Sequence, residues 1–221
     1  SAADGAITIN AKHLCMNGSM ASKGTIVNKS RGNINGKAIE NADQEMLYLN
    51  NQMNSLYFSN AETMDSLDLK KSNINVRSAM DVNGSASLKG NVNISSAVKA
   101  AGDITIDGNS SNASNAVLYS AFGDIIIDSN NVNLSGIVYA PFGDVVITAN
   151  NINLNNAVII ADTITLNSNN INANYGKSYA AVIGTESSET KAADVTKMNT
   201  YLMDKEAKNV LNILFQYYNV T

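Results

Sequence analysis

Between Asp103 and Ala173 the same string of residue types returns about every twenty positions. Each copy opens with a small residue, an Asp and an alternating apolar run, continues with apolar residues flanked by Asn, and closes with a third apolar run. The opening strings are Gly102–Ile106, Gly123–Ile127, Gly143–Ile147 and Ala161–Leu166. Three short runs of period two, separated by Gly, Asn, Asp and Ser, are typical of three strands joined by tight turns. Because no helix fits inside such a repeat, the copies are predicted to stack in parallel as the coils of a β-helix.

The predicted fold is an all-β, single-stranded parallel β-helix that forms one domain over residues 1–221. Its coils are expected over about residues 5–40, and they resume after an interruption to cover about 66–176. The steps between the opening glycines are irregular and lack a strict six-residue period, which favours a right-handed coil. Asn suits the stacked turns, because it tolerates left-handed backbone conformations and its amide can form hydrogen-bonded ladders from coil to coil.

Two helices are predicted outside the coils. Near residues 41–58 the apolar side chains Met46, Leu49, Met53 and Leu56 fall at helical spacing, which indicates an inserted amphipathic helix. It is expected to pack on the flank of the solenoid or on its open first coil. Capping is the favoured role, because an open coil edge promotes aggregation. A second amphipathic helix is predicted over about 193–218.

Composition excludes several classes of function. With 221 residues and 44% hydrophobic content the chain can bury a full core. A net charge of -4 argues against a nucleic-acid partner, because phosphate neutralisation needs clustered Lys and Arg. A single Cys allows no internal disulfide, and a single His allows no Cys/His metal site. No apolar run of about eighteen residues occurs, so no membrane span is predicted.

The alternation within each strand predicts which side chains point into the coil. The inward set is Ile104, Ile106, Ile125, Ile127, Val132, Leu134, Val145, Ile147, Ile152, Leu154, Ile164 and Leu166. The third strand of each coil is apolar on both faces. Aligning Ala97 with Ala116 places Lys99 in the column of Leu118, so Leu118, Val138 and Ile159 are expected to point outward. The C-terminal helix is expected to cover that strip.

Three groups of residues are candidates for chemistry, and each has a structural alternative. Asp103, Asp124, Asp144 and Asp162 hold the same position in successive coils, which suggests either a Ca²⁺ site or carboxylates that accept backbone N–H groups at their turns. Tyr119 with Tyr139, and Phe122 with Phe142, form an aromatic ladder that either binds sugar rings or fills the solenoid. Cys15 is interpreted as a core residue, although strand alternation places it on the same face as His13 and leaves a thiol–imidazole pair open.

The run Gly136–Ile147, which contains Tyr139-Ala140-Pro141-Phe142-Gly143-Asp144, resembles coils of exported bacterial β-helix proteins of the cell envelope, many of them uncharacterised. The resemblance covers about residues 91–176. It implies the fold and an extracellular or cell-surface location, and it implies no catalytic residues.

The leading hypothesis is therefore a non-catalytic structural or adhesion protein, without catalytic, metal or cofactor residues, whose partner is a cell-wall or host glycan or a surface protein. The alternative is a carbohydrate-active enzyme or a carbohydrate-binding module. Carboxylates that recur as a turn feature, rather than converging in a groove, argue against the enzyme. A solenoid that polymerises end to end is a third hypothesis, which helices over the ends would oppose.

Overall fold

The computed structural model describes residues 5–41 and 50–174, and within the helix it describes side chains from Met53 onward. The helix α1 spans Asn50–Tyr57, inside the predicted 41–58 segment. The helix predicted at 193–218 lies outside the described residues. The strands are β1 (Ile7–Asn17), β2 (Met20–Ala21), β3 (Ile26–Asn28), β4 (Gly32–Asn35), β5 (Ala38–Ile39), β6 (Glu62–Met64), β7 (Leu67–Val76), β8 (Met80–Val82), β9 (Ala86–Ile94), β10 (Ala97–Ala100), β11 (Ile104–Ser120), β12 (Ile125–Ala140), β13 (Val145–Ala161) and β14 (Ile164–Asn174).

These strands form a parallel β-solenoid of about eight coils, which confirms the predicted fold class. In β11, β12 and β13 a single strand bends around nearly a whole coil. The predicted inward side chains lie in one continuous core; Ile104, Ile125, Val145 and Ile152 are completely buried, and Leu154 is partly buried against the same core. Equivalent residues stack directly, as Ile127 does on Ile106 and Ile147.

Local backbone geometry explains the turn residues. A Cβ atom on Gly143 would lie 2.0 Å from the carbonyl oxygen of Gly123, so successive coils approach too closely there for any side chain. Asn115 and Asn156 have φ angles of 50° and 54°, the left-handed region that Asn tolerates better than most residues. They lie where the second strand of a coil turns into the third, and the register between coils shifts at that point.

The coils do not stack in the order of the sequence. Strand β1 pairs in parallel with β14, from Ile7 beside Ile164 to Asn17 beside Asn174. Strands β3 and β4 then pair with the other edge of β1, while β6 lies at the opposite end of the stack. The first two coils of the chain therefore extend the stack beyond its last coil, and the coils that follow the interruption begin at the far end.

Helix α1 packs on the flank of the solenoid rather than capping a coil. Met53 and the following Phe58 are buried in a second apolar cluster, separate from the core inside the coils. That cluster is built on the outward face of the third strands. Its strand residues are Ala97, Val117, Tyr119, Ile137, Tyr139, Val158 and Ile160. Of the two predicted positions for the helix, the described part occupies the flank.

The predicted outward strip exists, but its residues were assigned wrongly. Leu118 and Val138 are buried in the inner core, and Ile159 packs against it, so this column points inward. The alignment of Ala97 with Ala116 paired Lys99 with Leu118. In the structure Lys99 instead lies beside Tyr119, one residue further along the strand. Because side chains alternate between faces, this slip of one residue exchanged the inward and outward columns.

Candidate functional site

The Asp column at the start of each coil is a hydrogen-bonded ladder between coils. The backbone N–H of Asp124 donates to Oδ1 of Asp103 over 2.9 Å, and the N–H of Asp144 donates to Oδ1 of Asp124 over 2.8 Å. The hydroxyl of Thr163 then donates to Oδ1 of Asp144 over 2.6 Å. Asp162, predicted as the fourth member, lies one residue before the column, and Thr163 occupies its place.

This geometry explains how carboxylates tolerate a spacing near one coil height. Asp103 and Asp124 each accept a backbone N–H group from the next coil, and Asp144 accepts a hydroxyl group from the next coil. The turn hypothesis, in which each Asp accepts N–H groups of its own turn, is therefore wrong about the donor. Two of these residues, Asp124 and Asp144, are half-buried, and Asp103 is exposed. In the part of the chain that the structure describes, no group of three or more His, Cys, Asp or Glu side chains is placed to hold a metal ion. The hydrogen bonds of this column join successive coils, which is a structural role.

Asn side chains form further ladders along the second strand of each coil, as the composition predicted. In the longer of two adjacent ladders, the side-chain Nδ2 of each Asn donates to Oδ1 of the equivalent Asn in the preceding coil over 2.7 to 3.3 Å. The members of this ladder are Asn93, Asn112, Asn133, Asn153 and Asn172. The shorter ladder runs through Asn131, Asn151 and Asn170. We call the surface formed by these eight residues the Asn face.

The Asn face is polar, uncharged and regular. Its members range from exposed to half-buried. A side-chain amide has two donor hydrogens and two acceptor lone pairs, and one rung on each side uses one hydrogen and one lone pair. The remaining capacity points outward once per coil, at intervals of about 4.8 Å. Such a surface can form many hydrogen bonds to a neutral, hydroxyl-rich polymer and offers no group for acid–base chemistry.

The aromatic ladder divides into a buried and a half-buried pair. Tyr119 and Tyr139 are almost completely buried in the flank cluster, with ring centroids 5.2 Å apart. Phe58, which directly follows α1, packs on Tyr119 with a centroid distance of 6.1 Å. Phe122 and Phe142 remain half-buried and lie nearly parallel, with centroids 6.3 Å apart and an interplanar angle of 19°. Only this second pair offers ring surface to a ligand.

The interpretation of Cys15 as a core residue is wrong, because its thiol is exposed. His13 is exposed on the same face of β1, as alternation predicted, with the buried Leu14 between them pointing inward. The register places His13 beside Asn170 and Cys15 beside Asn172. The two residues thus stand where the two Asn ladders would continue into β1.

Glu40 caps an open strand edge, a contact that the sequence pattern did not reveal. Strand β3 is the outermost first strand at its end of the stack, and the backbone N–H of Ile26 on its open edge donates to Oε1 of Glu40 over 2.7 Å. The same terminal coil exposes Lys29 and Arg31, while the opposite terminal strand β7 exposes Lys70 and Lys71. Charged side chains on edge strands oppose pairing with other chains.

Comparisons of the chain with family models, with curated proteins and with solved structures found no match. Among the described residues, no helix has the length and apolar character needed to cross a membrane.

Proposed function

We propose that this protein is a non-catalytic structural or adhesion element of the bacterial cell surface, in which the solenoid is a rigid rod and the Asn face contacts a glycan of the cell wall or of a host. The observation that supports this most directly is the use of the surface side chains. The carboxylates of Asp103 and Asp124 accept backbone N–H groups of the neighbouring coil. The longer Asn ladder is uncharged and unbroken from Asn93 to Asn172.

A repetitive polar face suits weak contacts repeated along a polymer. Each hydrogen bond to a neutral hydroxyl contributes little, about 1 kcal/mol, but repetition once per coil multiplies the contacts made by an extended chain. The inner core anchors the face from beneath, because each Asn of the face has at least one buried neighbour in sequence, as Asn133 has in Val132 and Leu134.

The test is binding of the full chain to purified peptidoglycan and to a panel of insoluble neutral polysaccharides in a pull-down assay. We expect retention that Asn133→Glu abolishes, since a carboxylate breaks a rung and charges the centre of the Asn face. The matched control is Ile126→Glu, which adds the same charge at a side chain 37% exposed on the first strand. Equal retention of both variants would contradict the proposal.

The same samples test for catalysis. We expect no release of reducing ends or of unsaturated uronates from the polysaccharides after prolonged incubation. Product release that Asp124→Asn abolishes would instead establish a carbohydrate-active enzyme.

A specific observation favours a second candidate, a carbohydrate-binding module with a defined subsite. The half-buried pair Phe122 and Phe142 presents nearly parallel rings on successive coils, and aromatic rings of this kind stack on sugar rings. Titration with soluble oligosaccharides would then show saturable binding that Phe142→Leu weakens, since leucine keeps apolar volume but removes the ring. Unchanged binding in this variant would leave the Asn face as the contact surface.

A further inference from the structure

The boundary between β14 and β1 differs from other coil boundaries in the stack. Between β11 and β12, or between β12 and β13, the chain itself passes from one coil to the next. Between β14 and β1 it does not: β14 ends at Asn174, and β1 begins at Ile7. The unit of residues 5–41, here called the N-terminal clasp, can leave this boundary without breaking any coil.

Both ladders of the Asn face are also interrupted at this boundary, where Asn10 and Asn167 form a separate amide rung of 2.8 Å on the first strand. Across β13 and β14 both ladders of the Asn face have a rung, from Asn170 to Asn151 and from Asn172 to Asn153. Across β14 and β1 the partners of Asn170 and Asn172 are His13 and Cys15, which cannot form an amide–amide rung. The clasp boundary therefore lacks two rungs that the preceding boundary has.

The clasp and the rest of the stack carry opposite charge. Residues 5–41 contain five Lys and Arg side chains and one Glu, whereas residues 50–174 contain five Lys and Arg side chains and ten Asp and Glu side chains. Opposite net charges accelerate the approach of the two surfaces. This attraction is the same whether the two surfaces belong to one chain or to two. By contrast, two clasps repel each other, and so do two stacks.

From these three features we propose that the N-terminal clasp exchanges between two copies of this chain, so that residues 5–41 of each copy pair with β14 of the other in a reciprocal, domain-swapped dimer. The swapped contacts are the same as the contacts within one chain, from Ile7 beside Ile164 to Asn17 beside Asn174. The partner is therefore a second copy, and the surface it fits is the edge of β14. The dimeric fraction of the protein increases with protein concentration, because domain swapping replaces a contact within one chain by the same contact between two chains.

The native Cys15 provides a direct test. Cys15 and Asn172 are register partners on adjacent parallel strands, where a Cα separation of about 4.8 Å falls in the range of disulfides. One full-length chain, with a size tag, carries Cys15→Ser and Asn172→Cys; the other keeps Cys15 and Asn172. The two are mixed at high concentration in mild denaturant, returned to buffer and oxidised with oxidised glutathione. We expect a disulfide-linked heterodimer of the tagged and untagged chains.

The matched control replaces Asn172→Cys by Asn112→Cys in the tagged chain. Asn112 belongs to the same Asn ladder but lies on β11, away from the clasp, so its heterodimer yield measures random collision. A second control is one chain with Cys15 and Asn172→Cys, which in dilute solution should close an internal disulfide.

The expected result is a heterodimer yield several-fold above that of the Asn112→Cys control. A yield equal to the control, with the internal disulfide forming fully, would show that the clasp stays on its own chain and overturn the proposal. Failure of the internal disulfide would overturn it as well, because β1 would then not lie beside β14.

Discussion

Lys99 and Tyr119 are neighbours in the outward column of the third strand, with their Cα atoms in register across β10 and β11. The ammonium group of Lys99 pairs with Asp81 at 2.9 Å on one side, while the ring of Tyr119 packs on Tyr139 on the other. The column changes from charged to aromatic within one coil. The aromatic part of the column begins where Phe58 covers the flank. The outward residues are therefore apolar where the helical segment packs on the coils and charged where it does not.

The alternation at this strand can be tested with two adjacent substitutions. Val98→Lys places an ammonium group in the core, at a side chain with no exposure, and should lower the free energy of unfolding by more than about 3 kcal/mol. Lys99→Met removes only a partly exposed ion pair and should cost less than about 1 kcal/mol. Urea unfolding followed by circular dichroism measures both values. Equal losses would show that the register is wrong.

The core column allows a similar comparison on the first strand. Ile127→Asp buries a carboxylate without a partner and should cost several kcal/mol, on the order of 3 or more. The control is Ile126→Asp on the outward face, where we expect a change within about 0.5 kcal/mol. Thermal melts of the two purified variants should differ clearly, and a variant at position 127 that melts like the parent would contradict the assignment of faces.

The flank cluster depends on few covering side chains. Phe58→Ala should cost about 3 kcal/mol, because it removes a buried ring and uncovers Tyr119. It should also increase the fluorescence of a hydrophobic dye. Leu56→Ala, two residues earlier on α1, is the control, since Leu56 is 60% exposed and its truncation should change neither stability nor dye binding.

The Asp ladder predicts a different response to two substitutions at one position. Asp124→Asn keeps a side-chain oxygen for the N–H of Asp144 and should leave stability nearly unchanged. Asp124→Ala removes the acceptor and should cost about 1 kcal/mol. Thermal melts in Ca²⁺ and in EDTA should coincide for the parent protein. A rise in Tm with Ca²⁺ that Asp124→Asn removes would instead demonstrate a cation site.

The terminal strands predict an effect on assembly. Lys29 and Lys70 fall in the same column at opposite ends of the stack, so end-to-end contact brings like charges together. Lys70→Ser should increase light scattering at high protein concentration, because it removes a charge from the open edge of β7. Lys89→Ser, one coil further in, is the control and should scatter like the parent. Equal scattering of all three proteins would show that this charge does not control association.

The coils, the inward residues and the Asn ladders were predictable from the sequence, because alternation and turn residues act locally and recur. The errors arose where coils differ in length. From Ile94 to Ala97 the chain takes three steps, but from Ala113 to Val117, the equivalent residues, it takes four. The shared pair Ala-Val at Ala97 and Ala116 therefore suggested a register that is off by one residue, and Lys99 was assigned to the wrong column.

The position of the first two coils could not be predicted by the same reasoning. Each coil of a solenoid presents similar apolar columns on both edges, so Ile7 fits beside Ile164 as well as any inner residue fits its neighbour. Nothing local distinguishes stacking on the next coil in sequence from stacking on the last. Cys15 has an apolar side chain and lies between Leu14 and Met16, which is why composition favoured the core. In the structure it occupies the outward ladder position beside Asn172, and only the pairing of β1 with β14 reveals this.

Asn10 and Asn167 are joined by a hydrogen bond across 157 positions of sequence. A ribosome makes residues 5–41 before the other described coils, yet β14, the strand on which they rest, is the last of the described strands to emerge. The first two coils therefore cannot dock as they are synthesised, as the coils of a sequential repeat array can. These two coils stay without a docking surface until residue 174 has been made, and this long-range closure predicts slow folding. The same pairing places the first and the last described strands of the chain side by side within the stack, so each of them covers an edge of the other.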